Sequence, residues 1–162
     1  MSEQINDQGL LDLSDSMDSD ENSTVERCLT FESGDLILYI STKHVIEIIN
    51  NHTITTLPLV APYIKGIINL RGQVLPVIDL ELRMGKNCSN SDEKTCIIIL
   101  DINSVSLGIL VDSVRQVVDI NLKNVRPIPL KRQQKLLDGM VIMDDGSVFM
   151  SIDCQALSST YD

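Results

Sequence analysis

Short apolar runs alternate with turn-forming residues along most of the chain. Runs rich in Val, Ile and Leu that are bounded by Gly, Asn, Asp or Ser are typical of β-strands. The pattern predicts strands over residues 28–31, 36–40, 66–70, 74–80, 95–102, 106–111, 116–120, 139–143 and 148–152. The polar segment 32–35 between the first two runs predicts a hairpin.

The segments between these strands are short and mostly polar. Residues 42–49 predict a helical turn that runs into a strand, and residues 61–64 predict a short helix. Turn residues stand at 71–72, 103–104 and 144–146, and residues 86–93 form a polar loop. Many short strands without long amphipathic helices favour small β-barrels over an α/β sheet. No strict internal repeat is visible.

Composition agrees with a sheet-rich core, because aromatic residues are only 3 % of the chain and Trp is absent. The net charge of −10 is concentrated at the N-terminus, where residues 1–26 hold eight acids and no Lys or Arg. This segment predicts an acidic, disordered tail ahead of a nearly neutral domain over residues 27–157. A neutral domain beside an acidic tail argues against binding to nucleic acid or to an anionic membrane surface.

The cysteines and histidines give no sign of a metal site. Cysteines 28, 88, 96 and 154 form no Cys-x-x-Cys pair, and His44 and His52 are the only histidines. No signal peptide and no stretch of 18 apolar residues is present, so a cytoplasmic location with reduced thiols is expected. Nucleophile-elbow, phosphate-loop and zinc-protease motifs are also absent, which argues against an enzyme.

One segment resembles a known family closely. Residues 57–80 read LPLVAPYIKGIINLRGQVLPVIDL, similar to the CheW family's two prolines, Ile-x-Gly, Asn-Leu-Arg-Gly and Pro-Val-x-Asp-Leu. Residues 108–114 (GILVDSV) resemble the family's Gly-Ile-x-Val-Asp-Gly-Val, and residues 137–142 (LDGMVI) resemble its closing hairpin. The resemblance covers roughly residues 27–157.

The resemblance implies a mainly β fold of two SH3-like five-stranded β-barrel subdomains packed on a shared apolar core, with a few short helices. It also implies a scaffold without cofactors that couples chemoreceptors (methyl-accepting chemotaxis proteins) to the histidine kinase CheA. Such a scaffold would lie at receptor arrays on the inner face of the membrane. Two departures are evident: Leu38 occupies the family's aromatic position and Tyr39 the small position that follows it, and Ser113 replaces its glycine.

Arg71 matches the family's functional arginine at a kinase or receptor contact, and with Gly66 it is expected to belong to the kinase-binding surface. Arg71 lies between Leu70 and Gly72, where a turn directs its guanidinium outward, so it can contact a carboxylate or carbonyl oxygens. The competing interpretation is an ordinary exposed turn arginine. Gly66 is expected to serve the backbone by allowing close approach or positive φ, and so to affect binding indirectly.

Five residues match the family's receptor-binding positions: Val45, Glu47, Val114, Val117 and Gly139. The resemblance places the valines in a groove between the two barrels, where a helical receptor hairpin would dock, and makes Glu47 its charged partner. The competing interpretation makes Val45, Val114 and Val117 core residues and Glu47 a solvated surface residue. Gly139, like Gly66, is expected to act through the backbone.

Two other functions remain open. The chain could serve a parallel chemosensory pathway, such as twitching motility, with different receptors. It could also be an SH3-like barrel that binds nucleic acid, which its charge disfavours.

Overall fold

The computed structural model describes residues 24–86, 93–128 and 136–159. Ten strands form in chain order: β1 (Val25–Ser33), β2 (Leu36–Ser41), β3 (Val45–Asn50), β4 (Ile64–Leu70), β5 (Gln73–Asp79), β6 (Cys96–Ile102), β7 (Val105–Val111), β8 (Ser113–Asn121), β9 (Leu137–Ile142) and β10 (Val148–Ile152). Two short helices follow β5 and β10, namely α1 (Leu80–Arg83) and α2 (Cys154–Ser158). The mainly β class predicted from the sequence is confirmed.

The strands form two five-stranded sheets with the same spatial arrangement of equivalent strands but a different chain order. Sheet I has the order β8-β1-β2-β10-β9, and sheet II has the order β3-β6-β7-β5-β4. Each contains one parallel pair, β2 with β10 in sheet I and β5 with β7 in sheet II. Among the described residues no strand pairing joins the two edge strands of either sheet, so the sheets are curved and packed together but are not closed barrels.

The two sheets therefore form a structural repeat that the sequence conceals. In the strand registers, Tyr39 and Gly108 hold equivalent positions in β2 and β7, opposite Ser151 and Val77 respectively. These registers extend to further equivalent pairs: Gly139 with Gly66, Val114 with Val45, Val117 with Ile48, Phe149 with Leu75, and Asp153 with Asp79. Several of these pairs keep the same residue, but the equivalent strands follow one another in a different order along the chain, so the sequence shows no simple repeat.

The main apolar core lies between the sheets. Both sheets contribute to it, with Phe31 and Leu38 from sheet I and Ile98, Leu107 and Ile109 from sheet II. Separate clusters fill the concave side of each sheet, one around Ile97 and Leu110 and the other around Tyr39 and Phe149. Strands with buried residues on both faces require long Ile and Leu runs, as in residues 96–102. The predicted shared core is confirmed.

Most predicted elements are present, with shifted ends. The helical turn before β3 is confirmed as a 3-10 helix over Thr42–His44. The helix predicted over residues 61–64 is wrong: the Ile64 N–H donates to the Ala61 carbonyl at 2.9 Å in a single turn, and β4 begins at Ile64. β1 begins at Val25, so the last two residues of the predicted tail belong to a strand, while residues 1–23 lie outside the described residues.

The sequence patterns missed both helices, because each is too short to show a helical period. Asp79 and Asp153 cap them: the Asp79 side chain accepts from the Leu82 N–H, and Asp153 accepts from two N–H groups of α2. Residue 80 had been assigned to a strand and instead begins α1. Most of the predicted polar loop 86–93 lies outside the described residues.

Candidate interaction surface

Arg71 and Glu47 form an ion pair between the β4–β5 turn and edge strand β3 of sheet II. Arg71 occupies the turn between β4 and β5 with a φ of 53°, and this turn projects its side chain outward as predicted. Its Nη2 donates to Glu47 Oε2 at 3.0 Å, and Nη1 donates to Oε1. Two parallel bonds give the pair a defined orientation. We call this contact the Arg71–Glu47 latch, since it joins the β4–β5 turn to edge strand β3.

The latch shifts both side chains towards their charged forms. The hydrogen bonds from Arg71 lower the pKa of the Glu47 carboxyl, and the same contact raises the pKa of Arg71. Glu47 is therefore an ionised surface group whose charge is already compensated. The latch also joins a residue predicted to bind the receptor with one predicted to bind the kinase, so the two predicted surfaces meet at this point.

Val45 and Val114 hold equivalent positions at the margin of the main core. Each is half-buried and packs against the core between the sheets. Val117, by contrast, is 49 % exposed on edge strand β8, so its interpretation as a buried core residue is wrong. Exposed apolar side chains on an edge strand are candidates for contact with a partner.

Sequence analysis missed two apolar residues on β3. Ile46 and Ile48 are 52 % and 39 % exposed, and Ile48 is the sheet II equivalent of Val117. The segment Val-Ile-Glu-Ile-Ile-Asn is apolar on both faces, so alternation gave no sign of which isoleucines face solvent. Both edge strands, β3 and β8, thus present exposed β-branched side chains.

Gly66 and Gly139 are required by close backbone packing. A Cβ on Gly66 would lie 2.2 Å from the Thr55 carbonyl oxygen, where residues 55 and 67 form an isolated bridge beside β4. A Cβ on Gly139 would lie 2.8 Å from Val125 Cγ1, next to the equivalent bridge between Arg126 and Met140. Gly139 lies on β9, the opposite edge of sheet I from β8. The atoms nearest to a Cβ at this position belong to Val125, Ser151 and Arg126 rather than to Val114 or Val117.

The two departures from the family pattern occupy different environments. Leu38 lies in the main core, while Tyr39 fills the concave side of sheet I, where burial raises the pKa of its hydroxyl. Ser113 is exposed at the start of β8, opposite Glu32. Leu38 and Tyr39 are both buried, each in a separate apolar cluster.

A buried ionic cluster joins the two sheets and was not predicted. The Lys94 side chain is only 4 % exposed, and its Nζ lies 3.5 Å from Asp112 Oδ1 and 3.8 Å from Asp79 Oδ1, with Glu81 closer still. Asp112 Oδ2 accepts the Gly34 N–H of sheet I at 2.8 Å. The cluster therefore connects the β1–β2 turn of sheet I with α1 and β6 of sheet II.

The charge state of this cluster follows from its lysines. Burial opposes ionisation of Glu81, but hydrogen bonds from Lys94 and Lys86 outweigh burial and lower the pKa of this carboxyl. Lys86 Nζ lies 2.9 Å from Glu81 Oε2, and the contact raises the pKa of Lys86. Glu81 is therefore held as a carboxylate inside the protein.

The three described cysteines are free thiols. Burial, with Glu26 and Asp119 nearby, raises the pKa of Cys28 to about 12, and burial raises the pKa of Cys154 to about 11. Cys88 lies outside the described residues. Within the described ranges no group of three His, Cys, Asp or Glu side chains is arranged to hold a metal ion. No helix in those ranges is long and apolar enough to cross a membrane.

Comparison with known proteins gives consistent matches. The model of the CheW-like domain matches residues 27–161. The chain is 30 % identical over 136 residues to a probable chemotaxis protein CheW of Rhizobium etli, covering 81 % of this chain and 86 % of that protein. It is 31 % identical over 101 residues to the chemotaxis protein CheW of Rhizobium meliloti, where the match spans 62 % of this chain and 65 % of that protein.

The chain is also similar to a solved structure and to the protein FrzA. The crystal structure of the scaffolding protein TtCheW from Thermoanaerobacter tengcongensis matches with a TM-score of 0.71 and 28 % identity, covering 79 % of this chain and 88 % of that one. Protein FrzA of Myxococcus xanthus is 30 % identical over 100 residues, which is 62 % of each chain.

Proposed function

Because the chain belongs to the CheW-like family, we propose that it is a non-enzymatic scaffold that couples chemoreceptors to the regulatory domain of the histidine kinase CheA. The match of the family model over residues 27–161 carries this proposal. A location at cytoplasmic receptor arrays, with no cofactor, follows from the proposed role.

The proposed kinase surface lies around the Arg71–Glu47 latch. Arg71 is largely exposed, with 72 % of its side chain accessible, and is oriented by its two bonds to Glu47. A preorganised guanidinium loses less conformational freedom on binding than a free one. Gly66 supports this surface from behind, because it lets the segment around Thr55 pack against β4.

The proposed receptor surface uses Val45, Val114 and Val117, with Glu47 at its margin. The first two are half-buried at the edge of the main core, and Val117 is exposed. An apolar strip of this kind suits an amphipathic helical hairpin. Since Glu47 is paired with Arg71, receptor and kinase surfaces would adjoin rather than lie on opposite sides of the protein. Gly139 would act on this surface indirectly, through the packing of β9.

The similarity to FrzA favours a second candidate within the same class: a coupling protein of a parallel chemosensory pathway with different receptors. Such a protein would use the same kinase and receptor surfaces, and only the cognate kinase and receptors would differ. Binding against each CheA homologue of the source organism distinguishes the two candidates.

The decisive experiment is calorimetric titration of the chain with the regulatory domain of each such kinase. We expect binding of roughly micromolar strength to one of them, as for a reversible interface of modest size. Arg71→Ala should weaken binding at least tenfold, while Arg27→Ala, which removes an exposed arginine from another part of the surface, should have no effect. Absence of binding to every kinase homologue would refute the proposal.

A further inference from the structure

The structural repeat places unlike residues at the latch positions of the two sheets. The sheet I equivalents are found by counting from Gly139 and Val114, which correspond to Gly66 and Val45. Asp144 in the β9–β10 turn then takes the place of Arg71. Gln116, whose backbone N–H donates to the Thr30 hydroxyl, takes the place of Glu47. Sheet I therefore has no latch at this position.

An open cleft of about 350 Å³ occupies the place where the latch would close sheet I. Its apolar wall consists of Val118, Met143 and Phe149. In sheet II the positions equivalent to this wall are Ile49, Leu70 and Leu75, which pack into the concave-side cluster beneath the latch. The cleft is thus the uncovered mouth of the sheet I cluster, and its volume is large enough to admit a long side chain.

The rim of the cleft is acidic. Asp144 is exposed, and no described residue forms an ion pair with it. Asp145 accepts hydrogen bonds from the backbone N–H and the hydroxyl of Ser147, which lower the pKa of its carboxyl. Arg115, at the other side of the cleft, is paired with Glu32 at 3.0 Å. The cleft lining thus holds two carboxylates beside a single arginine, whose charge acts on Asp145 and which also pairs with Glu32, so the lining keeps a net negative charge.

We propose that this cleft binds an arginine or lysine side chain that projects from a protein partner. The aliphatic stem would lie against Val118 and Phe149, and the charged head would meet Asp144 and the Gln116 amide. Arginine suits the site better, because its planar guanidinium can bond the carboxylate through two N–H groups. The inserted side chain would complete in sheet I the closure that Arg71 provides within sheet II.

The test uses a short peptide, N-acetyl-Gly-Arg-Gly-amide, titrated into the ¹⁵N-labelled chain. We expect saturable shifts of the Asp145, Gly146 and Ser147 amides and of the Gln116 side-chain amide, with a roughly millimolar Kd. The same peptide with citrulline in place of arginine has nearly the same shape but no charge. It should bind at least tenfold more weakly, and equal binding of the two peptides would overturn the proposal.

Two variants test the position of the site. Asp144→Asn should weaken binding of the arginine peptide about tenfold, whereas Asp35→Asn, which removes an exposed acid from the β1–β2 turn, should not change it. The double variant Gln116→Glu with Asp144→Arg should build a latch in sheet I and abolish binding. Shifts that persist unchanged in Asp144→Asn or in the double variant would overturn the assignment, and so would free L-arginine binding tenfold more tightly than the peptide.

Discussion

The buried ionic cluster makes a quantitative prediction about stability. Replacing Lys94 by Met keeps the length and apolar stem of the side chain but removes the ammonium group. Asp79 and Glu81, with side chains 0 % and 9 % exposed, would then be left without this partner. Removing one member of a buried ion pair costs about 3–5 kcal/mol, because the remaining charge is desolvated without compensation. For a domain of this size the melting temperature should fall by about 10 °C.

The measurement is urea unfolding followed by circular dichroism, with matched variants. Lys43→Met removes a lysine whose side chain is 69 % exposed and whose partner Glu26 lies at 3.3 Å, so it should cost under about 1 kcal/mol. Adding Glu81→Gln to Lys94→Met should recover part of the loss, since it removes a buried carboxylate whose one remaining lysine, Lys86, has a side chain that is 49 % exposed. If Lys94→Met unfolds within about 1 kcal/mol of the wild-type protein, the cluster does not stabilise the junction between the sheets.

The buried ionic cluster also determines the direction in which the free energy of unfolding changes with pH. The folded protein lowers the pKa of Glu81 from the ordinary value of 4.5, so its contribution to stability is present above that pH and is lost as the pH falls through the lowered value. In Lys94→Met, Glu81 has lost the hydrogen bond from Lys94 that lowers the pKa of its carboxyl, so it should protonate more easily. The difference in unfolding free energy between wild type and variant should therefore narrow on acidification below about pH 4.5. A constant difference would contradict this account.

Other predictions concern the glycines and the receptor surface. Gly66→Ala should destabilise the protein by about 2 kcal/mol or more, because its Cβ would meet a backbone oxygen. Gly72→Ala is the control: a Cβ there would have no atom within 4 Å, so the substitution should cost only about 1 kcal/mol of backbone strain. Equal melting temperatures of the two variants would contradict the packing argument. Val117→Glu should abolish receptor capture in pull-downs but leave kinase binding and melting temperature unchanged, since Val117 is exposed. Unchanged receptor capture would remove β8 from the receptor surface. Val114→Glu should have the same binding phenotype with an added loss of stability, because Val114 packs on the core.

Sequence reasoning succeeded where local chemistry decides the structure. The run Cys-Ile-Ile-Ile-Leu-Asp-Ile predicted β6 because β-branched residues favour a strand buried on both faces. The turn at Arg71 was predicted from the following glycine, and its guanidinium is exposed as expected. Helices α1 and α2 were missed, since four or five residues cannot display a helical period and their capping aspartates also fit a turn.

The remaining features depend on residues that are distant in sequence. Glu47 and Arg71 are predicted surface residues, but the ion pair between them forms only because β3 and β4 pair with their neighbouring strands. Lys94 looks like an ordinary loop lysine until three segments bring Asp79, Glu81 and Asp112 around it. The repeat was missed because equivalent strands come in a different chain order in the two sheets, although some equivalent positions, such as Gly66 and Gly139, keep the same residue.

The two sheets take their strands from different parts of the chain, and this affects the order in which they can fold during synthesis. All five strands of sheet II lie within the continuous stretch from Val45 to Val111, so the ribosome delivers them together. Sheet I combines β1 and β2 with β8 to β10, and β10 inserts between β2 and β9. Its first hairpin must therefore wait, with an unpaired edge along β2, until nearly the whole chain has emerged. Pairings of such long sequence separation form slowly, so sheet II should fold first and serve as the surface on which sheet I is assembled.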